Sequence, residues 1–170
     1  QYQLCWCGGD NESFACDDYR HFETDIGQMM ILGPRAGQDR TCVTGQECMA
    51  DGLKGIGLST ADRWFVLETC GLPPVSATVA RIPYAGQVLS VTRSGSSIGF
   101  GSALVTAGGG VYRLCWCAAG FSCSTTENYR VDAGELLLLG PSLQGRTCIS
   151  GQACAFPTPL GKFLFNTDSY

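Results

Sequence analysis

The hexapeptide Tyr2-Gln3-Leu4-Cys5-Trp6-Cys7 returns as Tyr112-Arg113-Leu114-Cys115-Trp116-Cys117, identical at every position but the second. Self-similarity at long period marks tandem modules, and one duplicated unit must therefore account for most of the chain. The landmarks that follow each hexapeptide keep their order. Cys16 precedes Tyr19-Arg20, and Cys123 precedes Tyr129-Arg130; Leu32-Gly33-Pro34 is matched by Leu139-Gly140-Pro141, and Arg40-Thr41-Cys42-Val43 by Arg146-Thr147-Cys148-Ile149. Gly45-Gln46 with Cys48 returns as Gly151-Gln152 with Cys154.

The 170 residues include 11 cysteines and 23 glycines but only 15% charged residues. So many thiols are explained as cross-links in an oxidising compartment, which predicts a secreted, extracellular or cell-surface protein. A net charge of -4 without a Lys/Arg cluster argues against nucleic acid or an anionic membrane as partner. No run of 18 apolar residues is present, so no membrane insertion is expected. Gln1 suits the residue left after signal-peptide removal, and equally a fragment of a longer polypeptide.

Short apolar runs separated by Gly, Pro and Ser turns predict an all-β chain. Candidate strands are Gln28 to Leu32, Thr41 to Val43, Trp64 to Glu68, Ala77 to Ile82, Gln87 to Thr92, Ala103 to Thr106 and Val111 to Cys117. That number and spacing predict an immunoglobulin-like β-sandwich module, disulfide-stapled and in tandem, with a barrel as the alternative. Ser59-Thr60-Ala61-Asp62 is a candidate helix cap. The expected division is a trailing strand and link of a preceding module at 1–21, a complete module at 22–119, a link at 120–130 and an incomplete second module at 131–170. Alternation puts Tyr112, Leu114 and Trp116 on a core face and Val111, Arg113, Cys115 and Cys117 on the other. It also separates Phe65 and Leu67 from Val66, Glu68 and Cys70.

The repeat pairs the cysteines. Cys42 with Cys48, and Cys148 with Cys154, have the same spacing around a Gly-Gln turn; Cys7 with Cys16 and Cys117 with Cys123 form a second recurrent pair, and Cys70 with Cys115 completes the module. Exchanging the partners of Cys115 and Cys117 is equally compatible with the sequence. Loop entropy assigns about 2 kcal/mol to the short Cys42 loop and about 4 to the long Cys70 loop. Cys5 is left unpaired, because its expected partner is the Cys70 equivalent of a preceding module. At the other end, Lys162 to Asp168 resembles Arg63 to Thr69, with Asp168 or Ser169 where a cysteine is expected.

Chemistry is sparse. His21 is the only histidine and has no repeat counterpart, and no CxxC occurs, so neither a metal site, nor a cofactor, nor a catalytic triad is expected. Asp17-Asp18 and Asp10/Glu12 lie in turn-like segments, where the repeat substitutes Ser124-Thr125-Thr126 and Ca²⁺-loop spacing is missing. Gly55-Ile56-Gly57 and Gly99-Phe100-Gly101 lack the lysine of a phosphate loop, and Gly108-Gly109-Gly110 reads as a turn. Trp6, Trp64 and Trp116 are read as core rather than as a sugar-stacking platform. Asn11-Glu12-Ser13 is a glycosylation sequon, which makes Asn11 a candidate glycan site.

The assembled pattern runs from Gly-x-Leu-x-Leu-x-Gly-Pro through Thr-Cys-x-x-Gly-Gln-x-Cys and Val66-Leu67-x-Thr69-Cys70-Gly71 to Gly109-Gly110-x-Tyr112-Arg113-Leu114-Cys115-Trp116-Cys117. It resembles the large cysteine-rich tandem-repeat extracellular proteins of single-celled eukaryotes whose modules carry YRLCWC signatures. The resemblance implies a secreted or surface architectural role and offers no catalytic residue. The leading expectation is a non-enzymatic structural protein that assembles with itself head to tail into a filament. In that assembly the strand Gln1 to Cys7 of one copy enters the module 131–170 of the next. The alternative is an adhesion or glycan-binding module using the loop Arg93 to Gly101.

Overall fold

The computed structural model describes residues 1–9, 16–165 and 168. They divide into two compact units, Gln1–Leu32 and Gly33–Tyr170. The chain is nearly all β, with a single turn of α-helix and three short 3₁₀ segments among the described residues.

The first unit is a hairpin. Strands β1 (Tyr2–Trp6) and β2 (Thr24–Met29) pair antiparallel, with Tyr2 opposite Met29 and Trp6 opposite Thr24. Their connection is closed by the Cys7–Cys16 disulfide and a 3₁₀ turn at Tyr19–His21, capped by the Asp18 carboxylate, which accepts from Arg20 N. The register shifts by one residue between Leu4 and Cys5. This bulge is built by Asp25, whose Oδ1 accepts from Gly27 N at 2.8 Å, and Gly27 sits at φ 127°.

The second unit contains β3 (Gly33–Pro34), β4 (Arg40–Val43), β5 (Glu47–Ala50), β6 (Gly55–Ile56) and β7 (Arg63–Leu67). The helical turn α1 (Pro74–Ala77) follows, then β8 (Ser90–Thr92), β9 (Ser97–Leu104), β10 (Gly110–Cys117), β11 (Val131–Pro141) and β12 (Gly161–Lys162). In the main sheet β10 lies between β7 and β11, both antiparallel to it, and the far edge of β11 takes β4 in parallel and then β12. A second sheet has the order β5-β9-β8. Trp64, Val66, Tyr112, Leu114, Trp116, Leu136 and Leu138 from the first pack with Cys48, Ala50, Ile98 and Phe100 from the second in one core.

Alternation placed the aromatic face of β10 correctly; on the opposite face Val111 is exposed and Arg113 half-buried, whereas the end that carries Cys115 and Cys117 is buried as well. There Cys115 and Cys117 pack with Leu67, Ala77 and Tyr129, and Tyr129 meets Phe65 edge-on at 5.1 Å between ring centroids. Cys70 belongs with Leu67 and Cys115 rather than with Val66, because β7 ends at Leu67 and strand parity is lost in the turn that follows. Ala77 to Ile82 is not a strand: consecutive prolines start α1, and a lone bridge from Thr78 to Leu67 continues it. Ser59 to Asp62 is a turn, in which Ser59 N donates to Asp62 Oδ2 and the buried carboxylate also accepts from Ala119 N. The Gly-rich stretch from Ser97 is the buried start of β9, where Gly99 lies close to the Cys48 carbonyl and no larger residue fits without displacement.

β2 pairs with β1 and the first unit extends to Leu32, beyond the expected boundary at 22, while residues 120–130 connect β10 to β11 within the sheet begun by β7. The single strand β11 serves two neighbourhoods. Leu136 to Leu139 pair with β4, whereas Gly140 and Pro141 pair with β12.

Candidate functional site: one hairpin, built twice

Hairpin β10–β11 repeats the ladder of β1–β2 pair for pair. Tyr112 faces Leu136 and Trp116 faces Val131, the register shifts between Leu114 and Cys115, and Asp132 Oδ1 accepts from Gly134 N at 3.0 Å. The 3₁₀ turn Thr126–Asn128 and the Cys117–Cys123 disulfide close its connection. In both copies the residue ending the turn stands six after the second cysteine of the loop. Tyr129 is therefore matched by Phe22, not by Tyr19 as the shared Tyr-Arg dipeptide suggested, because the extra residues of the first copy all fall between Cys7 and Cys16.

The surroundings of the two copies differ. Leu114 is 1% exposed and Leu4 39%; Trp116 is 6% and Trp6 54%; Leu136 is 1% and Met29 41%; Leu138 is 0% and Ile31 57%. Trp116 thus meets the expectation of a core residue and Trp6 does not. Gly134 shows the same contrast: a Cβ there would lie 2.6 Å from backbone atoms of Gln38, while one on Gly27 would meet nothing within 4 Å. Gln38 N donates to Ala133 O, and Asp39 Oδ1 accepts from Glu135 N, so the segment leading into β4 closes over β11. On the exposed side Arg113 pairs with Asp132 at 2.7 Å and Glu135 at 3.0 Å; Gln3, Asp25 and Gln28 occupy those places in the first hairpin. The hydrogen bond to Asp132 raises the Arg113 pKa above its ordinary value.

Five disulfides form among the described residues: Cys7–Cys16, Cys42–Cys48, Cys70–Cys115, Cys117–Cys123 and Cys148–Cys154, with Cα separations of 5.5 to 6.0 Å. Of the two arrangements open to Cys115 and Cys117, Cys115 takes Cys70 and Cys117 takes Cys123. Cys42–Cys48 ties β4 in one sheet to β5 in the other. Cys5 is free and exposed. Asn11 lies outside the described residues.

A second repetition, in β3 and β6, was missed in the sequence. Gly33-Pro34 pairs with Gly55-Ile56 as Gly140-Pro141 pairs with Gly161-Lys162. Gln38 donates to the carbonyls of Arg35 and Lys54 and accepts from Lys54 N; Gln144 does the same with Ser142 and Leu160. Asp168 accepts from Phe165 N through Oδ2 as Asp62 accepts from Ser59 N. These contacts correct the alignment at this end: Lys162 corresponds to Ile56 and Asp168 to Asp62, so no Cys70 counterpart is due at Asp168 or Ser169. The signal was a glutamine following Gly-Pro at a spacing that differs by one residue between the copies.

No group of three or more His, Cys, Asp or Glu that could hold a metal ion occurs among the described residues. His21 faces Asp17 at 3.4 Å in solvent. Of the segment Arg93 to Gly101, Arg93 and Ser94 are exposed, and Ser97 to Phe100 are buried in β9. Arg93 does line an open groove of about 470 Å³ with Arg35, Lys54, Ser94 and Ser96. No helix is long and apolar enough to cross a membrane among the described residues.

Across 152 residues, 84% of this chain, the sequence is 27% identical to cysteine repeat modular protein B of Toxoplasma gondii. The chain spans 2% of that protein's length. This similarity and the disulfides fit a cysteine-rich protein of a single-celled eukaryote. No family model matches the chain, and no solved structure does.

Proposed function

We propose that the chain is a non-enzymatic, extracellular structural segment in which β-rich modules are strung in tandem, each closed by the hairpin that leads into the next. The observation carrying this reading is β11, which completes one core through Leu136 and Leu138 and continues, without a break, into the ladder with β12. A strand common to two neighbourhoods makes length rather than pockets, as in other repeat proteins. The density of disulfides fits an oxidising compartment, and the similarity to a cysteine repeat modular protein fits a modular array. In the finer reading each module is an immunoglobulin-like sandwich, supported by two sheets packed on one core.

Assembly of separate copies by strand complementation is a further level of the same reading. The correspondence of Asp168 with Asp62 changes its requirement: counterparts of β7 to β9 are needed as well as a β1-like strand. On this reading a fibre is a long array of whole modules. Electron microscopy of native material tests the proposal: extended particles whose length grows with the number of modules support it, and compact particles refute it.

Adhesion is the second reading, supported by the groove that gathers Arg35, Lys54 and Arg93. The cations, of which Arg93 is also paired with Asp51 at 3.6 Å, suit an anionic glycan. Binding of sulfated or sialylated glycans by the monomeric chain, lost on Arg93→Ala, is the outcome that favours it.

A further inference from the structure

We infer that the face of hairpin β1–β2 carrying Leu4, Trp6, Met29 and Ile31 is an interface for a module body of the kind formed by residues 33–107, and that Cys5 is joined there by a disulfide to the cysteine standing in the place of Cys70. The inference deepens the tandem-module reading and rests on it.

The chain contains the finished version of this interface. Hairpin β10–β11 has the same ladder, the same bulge and the same Asp-x-Gly turn, and its equivalents of Leu4, Trp6, Met29 and Ile31 are buried against such a body. β1 offers its free edge to a β7-like strand and β2 offers its own to a β4-like one, the arrangement that β7 and β4 make on β10 and β11. Gly27 keeps the left-handed backbone of Gly134 although a Cβ there would meet no atom of the described residues within 4 Å, whereas at Gly134 that conformation admits the Gln38 backbone. Cys5 occupies the register of Cys115, which is bonded to Cys70.

Two substitutions specify the occupant further. Ile26 stands where Ala133 is wholly buried, and the Gln3–Gln28 pair replaces Arg113–Glu135. The occupant has a recess larger by several methylene groups opposite Ile26 and does not require the charged pair. It is a related module, not another copy of this chain, whose own body is fitted to Ala133 and filled by β10–β11. Joining the two thiols forms one S–S bond and releases two protons and two electrons. A disulfide-bearing oxidant, glutathione disulfide in the test below, accepts them and is reduced to two thiols.

The test lengthens the full chain at its N-terminus with a second copy of residues 33–110, so that Gly110 of the added segment precedes Gln1 in the register it has before Val111. Both the Ile26 form and an Ile26→Ala form are refolded in a glutathione buffer, alkylated and mapped without reduction. The expected result is a bridge from Cys5 to the added segment's Cys70, with alkylation of Cys5 reduced roughly tenfold or more against the unlengthened chain, and more fully in the Ile26→Ala form. Cys5 alkylated in both forms while the original chain's own bridges are intact overturns the inference. Should the added segment fail to close its own bridge between Cys42 and Cys48, the native polypeptide decides: Cys5 recovered there as a free thiol, or bonded within residues 1–170, overturns it equally. A free Cys5 in material that images as an extended array removes the interface alone. The bridge in compact particles removes the structural role and leaves the interface.

Discussion

Leu4 and Leu114 are the same residue in the same hexapeptide, opposite glycines in the same ladder position, and only one of them is covered. Leu114→Ala removes a side chain packed in the core with Val66, Trp64 and Leu136. Transfer and cavity terms for buried Leu→Ala place the loss at about 3 kcal/mol. Leu4→Ala removes a side chain already in contact with water and is expected to change stability by less than about 0.5 kcal/mol. Urea unfolding followed by tryptophan fluorescence, in a Trp6→Phe background, reports on Trp64 and Trp116 inside the second unit. With a slope of about 2 kcal/mol per molar urea, Leu114→Ala lowers the midpoint by about 1.5 M and Leu4→Ala leaves it in place. Equal shifts for the two would mean that the hairpins share one environment, and would refute the reasoning.

Other outcomes follow from the same contrast. Gly134→Ala sets a Cβ against the Gln38 backbone at an unfavourable φ and should cost about 3 kcal/mol or more, whereas Gly27→Ala bears only the conformational strain of about 1 to 2 kcal/mol; thermal melts monitored by near-UV circular dichroism compare them. Replacing both Cys70 and Cys115 by Ser should cost about 4 kcal/mol and replacing Cys42 and Cys48 about 2, read from midpoints in denaturant. Burial, with Glu68 adding to it, raises the Tyr112 pKa above 10.0, and burial raises that of Tyr129. Because the folded state holds these protons more tightly, their contribution is complete below pH about 10 and is lost as pH rises beyond it. Stability measured in a Cys5→Ser variant should fall above that pH, and less steeply once Tyr112→Phe and Tyr129→Phe are introduced.

Much of the second unit was legible because strand alternation and cysteine spacing are local signals. Tyr112, Leu114 and Trp116 sit on one face at period two, and Cys42 and Cys48 flank a turn whose length is fixed by the chain itself. Other elements depend on partners far away in sequence. The start of β9 is rich in glycine and serine and looks like a loop, yet Gly99 lies under the close approach of β5, where a Cβ would stand 3.2 Å from the Cys48 carbonyl. β4 pairs in parallel with β11, nearly a hundred residues on, and no local pattern announces a parallel partner. The equivalence of Phe22 with Tyr129 was hidden by a shared Tyr-Arg dipeptide, since loop length between bonded cysteines varies while the distance from the second cysteine to the strand does not. Arginine and carboxylates at 113, 132 and 135 were visible as residues, but their meeting depends on the bulge that Asp132 and Gly134 create.

Hydrogen exchange compares the two hairpins most directly, since nearly identical hexapeptides have nearly identical intrinsic rates. The account predicts that amides of β1 on the edge away from β2 exchange about a hundredfold faster than those of β10 that face β7, while amides inside each hairpin's own ladder differ less. Equal protection along both hexapeptides in the isolated chain would contradict it.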